Sequence, residues 1–135
     1  MGIRLMTWNL DPNLPIYLQI IEHLQYDIAS GHYRPGERLP SVRELALCAA
    51  VNPNTMQKAL SALEQSGLVL SRRTLGRFVT EDPAVISEAR TALATHQITE
   101  LIQKMQQLGF QKREILTLIE KIYEEVTHEH TSGNP

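Results

Sequence analysis

The chain carries a single cysteine, Cys48, in its 135 residues. One thiol excludes an intramolecular disulfide and fits a reducing compartment, so a cytoplasmic location is expected. Within "ELALCAAV" this cysteine reads as a small buried hydrophobe rather than a redox centre. No apolar run approaches the roughly 18 residues that a bilayer span requires. The opening "MGIRLMTWNLDPN" lacks the long apolar stretch of a secretory signal. His23, His32 and His96 are scattered, and His128 and His130 have no third ligand nearby, so no metal site is expected. Phosphate-binding glycine loops, dinucleotide fingerprints and nucleophile elbows are also missing, which argues against an enzyme and against a cofactor.

The formal net charge is only −2, but it is unevenly spread. Between Arg34 and Thr80, seven basic residues face three acidic ones; from Glu81 onward, five basic residues face nine acidic ones. A basic middle between acidic flanks points to a polyanionic partner for the middle.

Pro15 suits the first turn of a helix in which Ile16, Ile20, Leu24 and Ile28 share a face, and Gly31 ends it. "HYRPGERLP" then reads as turn and breaker signals. Ser41, followed three residues later by Glu44, has the capping-box pattern, and a short helix from Val42 to about Ala50 buries Leu45, Ala46 and Ala49. Asn52-Pro53 opens another helix, 53–66, that stops before Gly67. "LVLSRRTLGRFVT" changes to a two-residue period around a turn glycine, a β-hairpin over 68–80 with Arg72, Arg73 and Arg77 around its tip. Asp82-Pro83 starts a long helix reaching Leu108, and a last helix runs from Lys112 to His128.

The predicted fold is mainly α with a small β-hairpin: an N-terminal winged helix-turn-helix plus a short C-terminal two-helix dimerisation region. Its predicted parts are an N-terminal segment, 1–14; the winged domain, 15–80; a helical dimerisation or effector region, 81–128; and a disordered tail, 129–135.

In helix 53–66, Met56, Ala59, Leu60 and Leu63 recur at three- and four-residue spacing and should pack inward. Asn54, Gln57, Lys58 and Ser61 project the opposite way. A polar outer face is by itself an ordinary solvated surface. Here, however, Arg43 lies on the preceding helix, arginines crowd the hairpin, and acidic residues are scarce. Asn and Gln match adenine in the major groove, and an unpaired helix N-terminus suits phosphate. Double-stranded DNA is therefore the expected partner.

"PIYLQIIEHLQYDIASGHYRPGERLPSVRELALCAAVNPNTMQKALSALEQSGLVLSRRTLGRFV", Pro15 to Val79, resembles the winged-helix domain of GntR-family bacterial transcription regulators. It contains that family's "G…PG..LPS.REL" stretch from Gly31 to Leu45, and "WNLDPNLPIYLQI" with the short C-terminal part resembles the YtrA-type subfamily. The resemblance implies DNA contacts by Arg43, by Asn52, Asn54 and Thr55 in the first turn of the recognition helix, and by Gln57 and Lys58 one turn on. It places the wing glycine at Gly76. Some relatives have arginines where this chain has Pro53 and Gln57, so the sequence preference should differ.

Too few residues follow the wing to form one of the family's large effector domains. Ile98, Leu101, Ile102 and Met105 form a band broad enough for two neighbours, the last helix and a second subunit, and the expected dimer interface adds Leu93, Ile119 and Ile122. The expectation is a homodimeric repressor on a palindromic operator. A small-molecule effector is expected to lie, if there is one, at the dimer seam near His96 and Gln97. The alternative is a winged-helix module that binds another protein, against which the arginine-rich wing argues.

Overall fold

A stripe repeating every fourth residue, Ile20, Leu24 and Ile28, is fully buried along α1 (Ile16–Ala29) and anchors the hydrophobic core. The computed structural model describes residues 8–132, with side chains described through His128. Within the expected 1–14 segment, residues 1–7 lie outside the described residues. Trp8 stacks on His23 of α1 with ring centroids 3.8 Å apart, and the Gln19 amide brackets the backbone N–H and carbonyl of Asp11 at 2.7 and 2.8 Å.

Helix α2 (Val42–Ala49) starts at the expected capping box. The Ser41 hydroxyl accepts from the Glu44 N–H at 3.1 Å, while the Glu44 carboxylate accepts from the Ser41 N–H at 3.3 Å. Ala50 then adopts a left-handed conformation, φ 56°, and breaks the helix within one residue. Helix α3 (Pro53–Gln65) follows almost at once, with Met56, Ala59, Leu60 and Leu63 buried against the α1 stripe and α2. Cys48 is half-buried on α2 rather than part of the core.

Strands β1 (Val69–Arg72) and β2 (Gly76–Val79) pair antiparallel, Val69 opposite Val79 and Arg72 opposite Gly76. The wing is larger than the expected hairpin. Residues 36–39, which read only as turns and breakers, run along the free edge of β2. The Val79 N–H donates to the Glu37 carbonyl and the Leu39 N–H to the Arg77 carbonyl, both at 2.8 Å, with a bridge between Arg38 and Phe78. This pairing joins segments about forty residues apart in sequence, and no local pattern announces it.

Helix α4 (Pro83–Gln107) begins where the Asp82 carboxylate accepts from the Ala84 N–H at 2.9 Å. Two compact units divide the chain, Met1–Ala94 and Thr95–Pro135. The division between them falls within α4, where Val85, Ile86 and Ala89 on the first turns pack against the winged core. In the second unit, α4 closes at Gly109, φ 92°. There the Phe110 N–H reaches the Met105 carbonyl and the Gly109 N–H that of Gln106, each at 3.0 Å, the hydrogen-bond signature of a glycine-terminated helix. Helix α5 (Lys112–Ser132) continues four residues past the expected end at His128. The stretch 129–132, expected to be disordered, is helical, and 133–135 lie outside the described residues.

In α5, Ile115 is buried and Leu118 half-buried, whereas Ile119, Ile122 and Val126 are exposed. None of the residues of α4 is buried.

Candidate nucleic-acid interface

Because the inner face of α3 is consumed by the core, the helical period leaves Asn54, Gln57 and Lys58 exposed on the outside, with Thr55 and Ser61 half-buried beside them. Asn52 is the N-cap of α3. Its side-chain oxygen accepts from the Asn54 N–H at 2.8 Å, and its carbonyl accepts from Thr55 and Met56 at 3.0 and 3.1 Å. Pro53 has no N–H to offer. The expectation of unpaired backbone donors at this helix end is therefore corrected: its first N–H groups are taken up within the protein. An anion approaching here meets the helix dipole and the side chains.

Lys58 does not extend freely. Its ammonium lies 3.9 Å from the centroid of the Tyr17 ring on α1. An exposed cation–π contact of this kind is worth about 0.5–1 kcal/mol. It limits the side chain to fewer positions while leaving the charge accessible.

The expected arginines separate into two groups. Arg43, in the first turn of α2, is exposed, as are Arg72 and Arg73 on the wing. The Arg72 guanidinium lies 4.7 Å from the Phe78 ring centroid. None of these three has an ion-pair partner among the described residues. Arg77 departs from the expectation that it stands at the wing tip. It is in the middle of the β2 pairing, half-buried, with its guanidinium on the Glu64 carboxylate of α3. Strand alternation was the signal available: Arg77 is two residues from core residue Val79, so both point inward.

Every acidic residue of the basic stretch is engaged. Glu37 accepts from the Arg34 N–H at 2.8 Å, Glu44 caps α2, and Glu64 holds Arg77. Lys58, Arg43, Arg72 and Arg73 thus keep their positive charges without an acidic ion-pair partner among the described residues. Gly76, at the start of β2, has φ 115°, and the Arg38 side chain lies directly over it.

Among the residues expected at a subunit interface, Leu93 is half-buried and belongs to the first unit. In the second, Ile98, Leu101, Ile119 and Ile122 are exposed by 40–56%, with Ile102 and Met105 half-buried. Leu108 is exposed too, as are Leu116 and Tyr123, which were not singled out from the sequence. His96 is exposed and pairs with Glu100 one helical turn on, at 3.2 Å.

Residues 16–79 match the family model described as "Bacterial regulatory proteins, gntR family". An uncharacterized HTH-type transcriptional regulator of Bacillus subtilis, YhcF, is 38% identical over 102 residues, covering 76% of this chain and 84% of that protein. The HTH-type transcriptional repressor YtrA, also of Bacillus subtilis, is 34% identical over 117 residues and 85% of each chain. Among solved structures, a GntR family transcriptional regulator from Listeria monocytogenes superposes with a TM-score of 0.76. It is 35% identical, and the match covers 83% of this chain and 98% of that one. The DNA-binding domain of AraR, solved in complex with operator ORX1, matches with a TM-score of 0.52 at 29% identity, over 58% of this chain and all of that one. Two near-full-length relatives, the matched motif region and the winged architecture agree: the chain belongs to the GntR family of bacterial transcription regulators and is of the YtrA type.

Proposed function

We propose that this regulator is a homodimeric repressor that binds a palindromic operator, with residues 15–80 as the DNA-binding domain and 81–128 as the dimerisation region. The observation that carries this reading is the uncovered outer face of α3, Asn54, Gln57 and Lys58, in a domain whose exposed Arg43, Arg72 and Arg73 have no acidic partner among the described residues. Asn54 and Gln57 supply paired donors and acceptors for base edges, and Arg43 supplies the fork that matches guanine. Lys58, Arg72 and Arg73 supply the phosphate contacts that dominate affinity and make it salt-dependent. Asn52 and Thr55 shape the first turn that enters the groove, Gly76 shapes the wing, and Arg77 acts through Glu64 by tying the wing to α3.

Dimerisation is supported by the apolar residues that the second unit leaves exposed, Ile98, Leu101, Ile119 and Ile122 among them. A two-fold pair would present its two recognition helices about 34 Å apart, one helical turn of DNA, which favours a palindromic site. That the Bacillus subtilis relative YtrA is named a repressor supports the same sign of regulation here.

Fluorescence-anisotropy titrations against a duplex selected from a random pool, and against single-base variants of it, test the assignment. Arg43→Ala should flatten discrimination at particular base pairs, by about 1–3 kcal/mol for a bidentate contact. Arg73→Ala should weaken all duplexes alike. Identical profiles for the two variants would reject these roles.

A further inference from the structure

Arg38 is left without a role by everything above. It sits on the segment that runs along the free edge of β2, opposite Phe78. Residues opposite one another in an antiparallel pair share a face, and so do residues two apart on one strand. Arg38, Phe78 and Gly76 therefore lie on the same face of the wing. So do Leu70 and Arg72, which pair with Phe78 and Gly76 from β1. It is the solvent face: Leu70, Arg72 and Arg38 are exposed, while Val69 and Val79 on the opposite face are buried.

Two guanidinium groups lie on this face. That of Arg72 is over the Phe78 ring at 4.7 Å. The Arg38 guanidinium lies over Gly76, where a Cβ would stand 3.0 Å from its Nε and 3.4 Å from its Nη2. A side chain at position 76 would press on the Arg38 guanidinium, which would have to give by a few tenths of an ångström. The left-handed φ of 115° requires glycine there independently. No acid neutralises either arginine among the described residues. Glu37, next to Arg38 in sequence, is turned to the Arg34 N–H, and the Glu81 carboxylate lies over Gly36. Two like charges held on one face by an aromatic ring and a bare backbone, with no carboxylate between them, suit a polyanion that crosses that face.

We propose that Arg38 contacts the DNA backbone, forming with Arg72 a two-arginine phosphate clamp on the solvent face of the wing, built across Gly76 and Phe78. This rests on the DNA-binding reading above and adds to it a contact from the segment before α2, outside both the recognition helix and the wing tip.

The test is the salt dependence of binding to the duplex that the wild-type protein selects from a random pool. Each phosphate contact contributes about 0.9 to the slope of log K against log salt. Arg38→Gln should lower that slope by about one and weaken binding about three- to tenfold near 0.15 M salt. Arg38→Met, which keeps the hydrocarbon stem over Gly76, should do the same, and either variant serves if the other fails to fold. Arg38→Lys should retain the wild-type slope. An unchanged slope in the Gln or Met variant overturns the clamp, even if affinity falls, because Arg38 would then only prop the wing. A wild-type protein that shows no salt-dependent duplex binding would instead overturn the DNA-binding reading itself.

Discussion

The two units of this chain use apolar residues in opposite ways. In the first, Ile20, Leu24, Met56, Leu60, Leu63 and Val69 are all within 1% of complete burial. In the second, Ile115 is buried, while Ile98, Leu101, Leu108, Leu116, Ile119, Ile122, Tyr123 and Val126 are exposed by 40% or more. Both carry helical stripes of similar composition, so the difference is not in the pattern. Three helices and a three-segment sheet give the first unit enough layers to close over its stripes. A small unit of two helices withdraws too little surface from water to do so alone. A stripe in a sequence therefore specifies that something will cover it, and not whether the cover belongs to the same molecule.

Truncation in the closed unit should produce the largest effect. Leu60→Ala removes side-chain volume from a site 1% exposed and should cost about 2–5 kcal/mol, independently of protein concentration. Urea unfolding followed by circular dichroism would register it as a lower midpoint at unchanged slope. A concentration-dependent loss would break the contrast between the units.

A charge on the open stripe should act differently. Ile119→Glu, at a position 40% exposed, should leave the winged domain folded and convert the protein to monomers by sedimentation velocity. Affinity for a palindromic duplex should fall by about a hundredfold or more, the low end of what bivalence contributes, while affinity for one half-site stays the same. A variant that remained dimeric would move the interface elsewhere.

The smallest effect sharpens the picture within the closed unit. Tyr17→Ala removes the ring beneath Lys58 and should weaken duplex binding about two- to fivefold, from the 0.5–1 kcal/mol of an exposed cation–π contact. In the Lys58→Ala background the same change should have no further effect on titration. Additive losses would mean that Tyr17 acts by another route.

Local chemistry made much of the fold legible. Ser41 with Glu44, Asn52 with Pro53 and Asp82 with Pro83 each fix a helix end by side-chain or backbone constraints acting within a few residues, and each is found where the sequence puts it. Features made by distant pairing were not legible in the same way. Residues 36–39 become a sheet edge only when β2 arrives beside them, and Pro35, Gly36 and Pro40 disguise them as a turn. The same blind spot hid Arg38, whose position has meaning only over Gly76, and Tyr17, which matters only under Lys58. For Arg77 the signal was present, since its two-residue offset from Val79 assigns it to the inner face. A cluster of arginines around a turn glycine masked it.

The ion pair between Glu64 and Arg77 has a consequence for selectivity. It ties α3 to the wing, so on the proposed docking the angle between the two reading elements is set before any duplex arrives. Docking then forfeits little motional freedom, and the cost of a poor match falls on the duplex. Sequences whose natural groove width already suits that fixed angle would be favoured even at base pairs that no side chain touches.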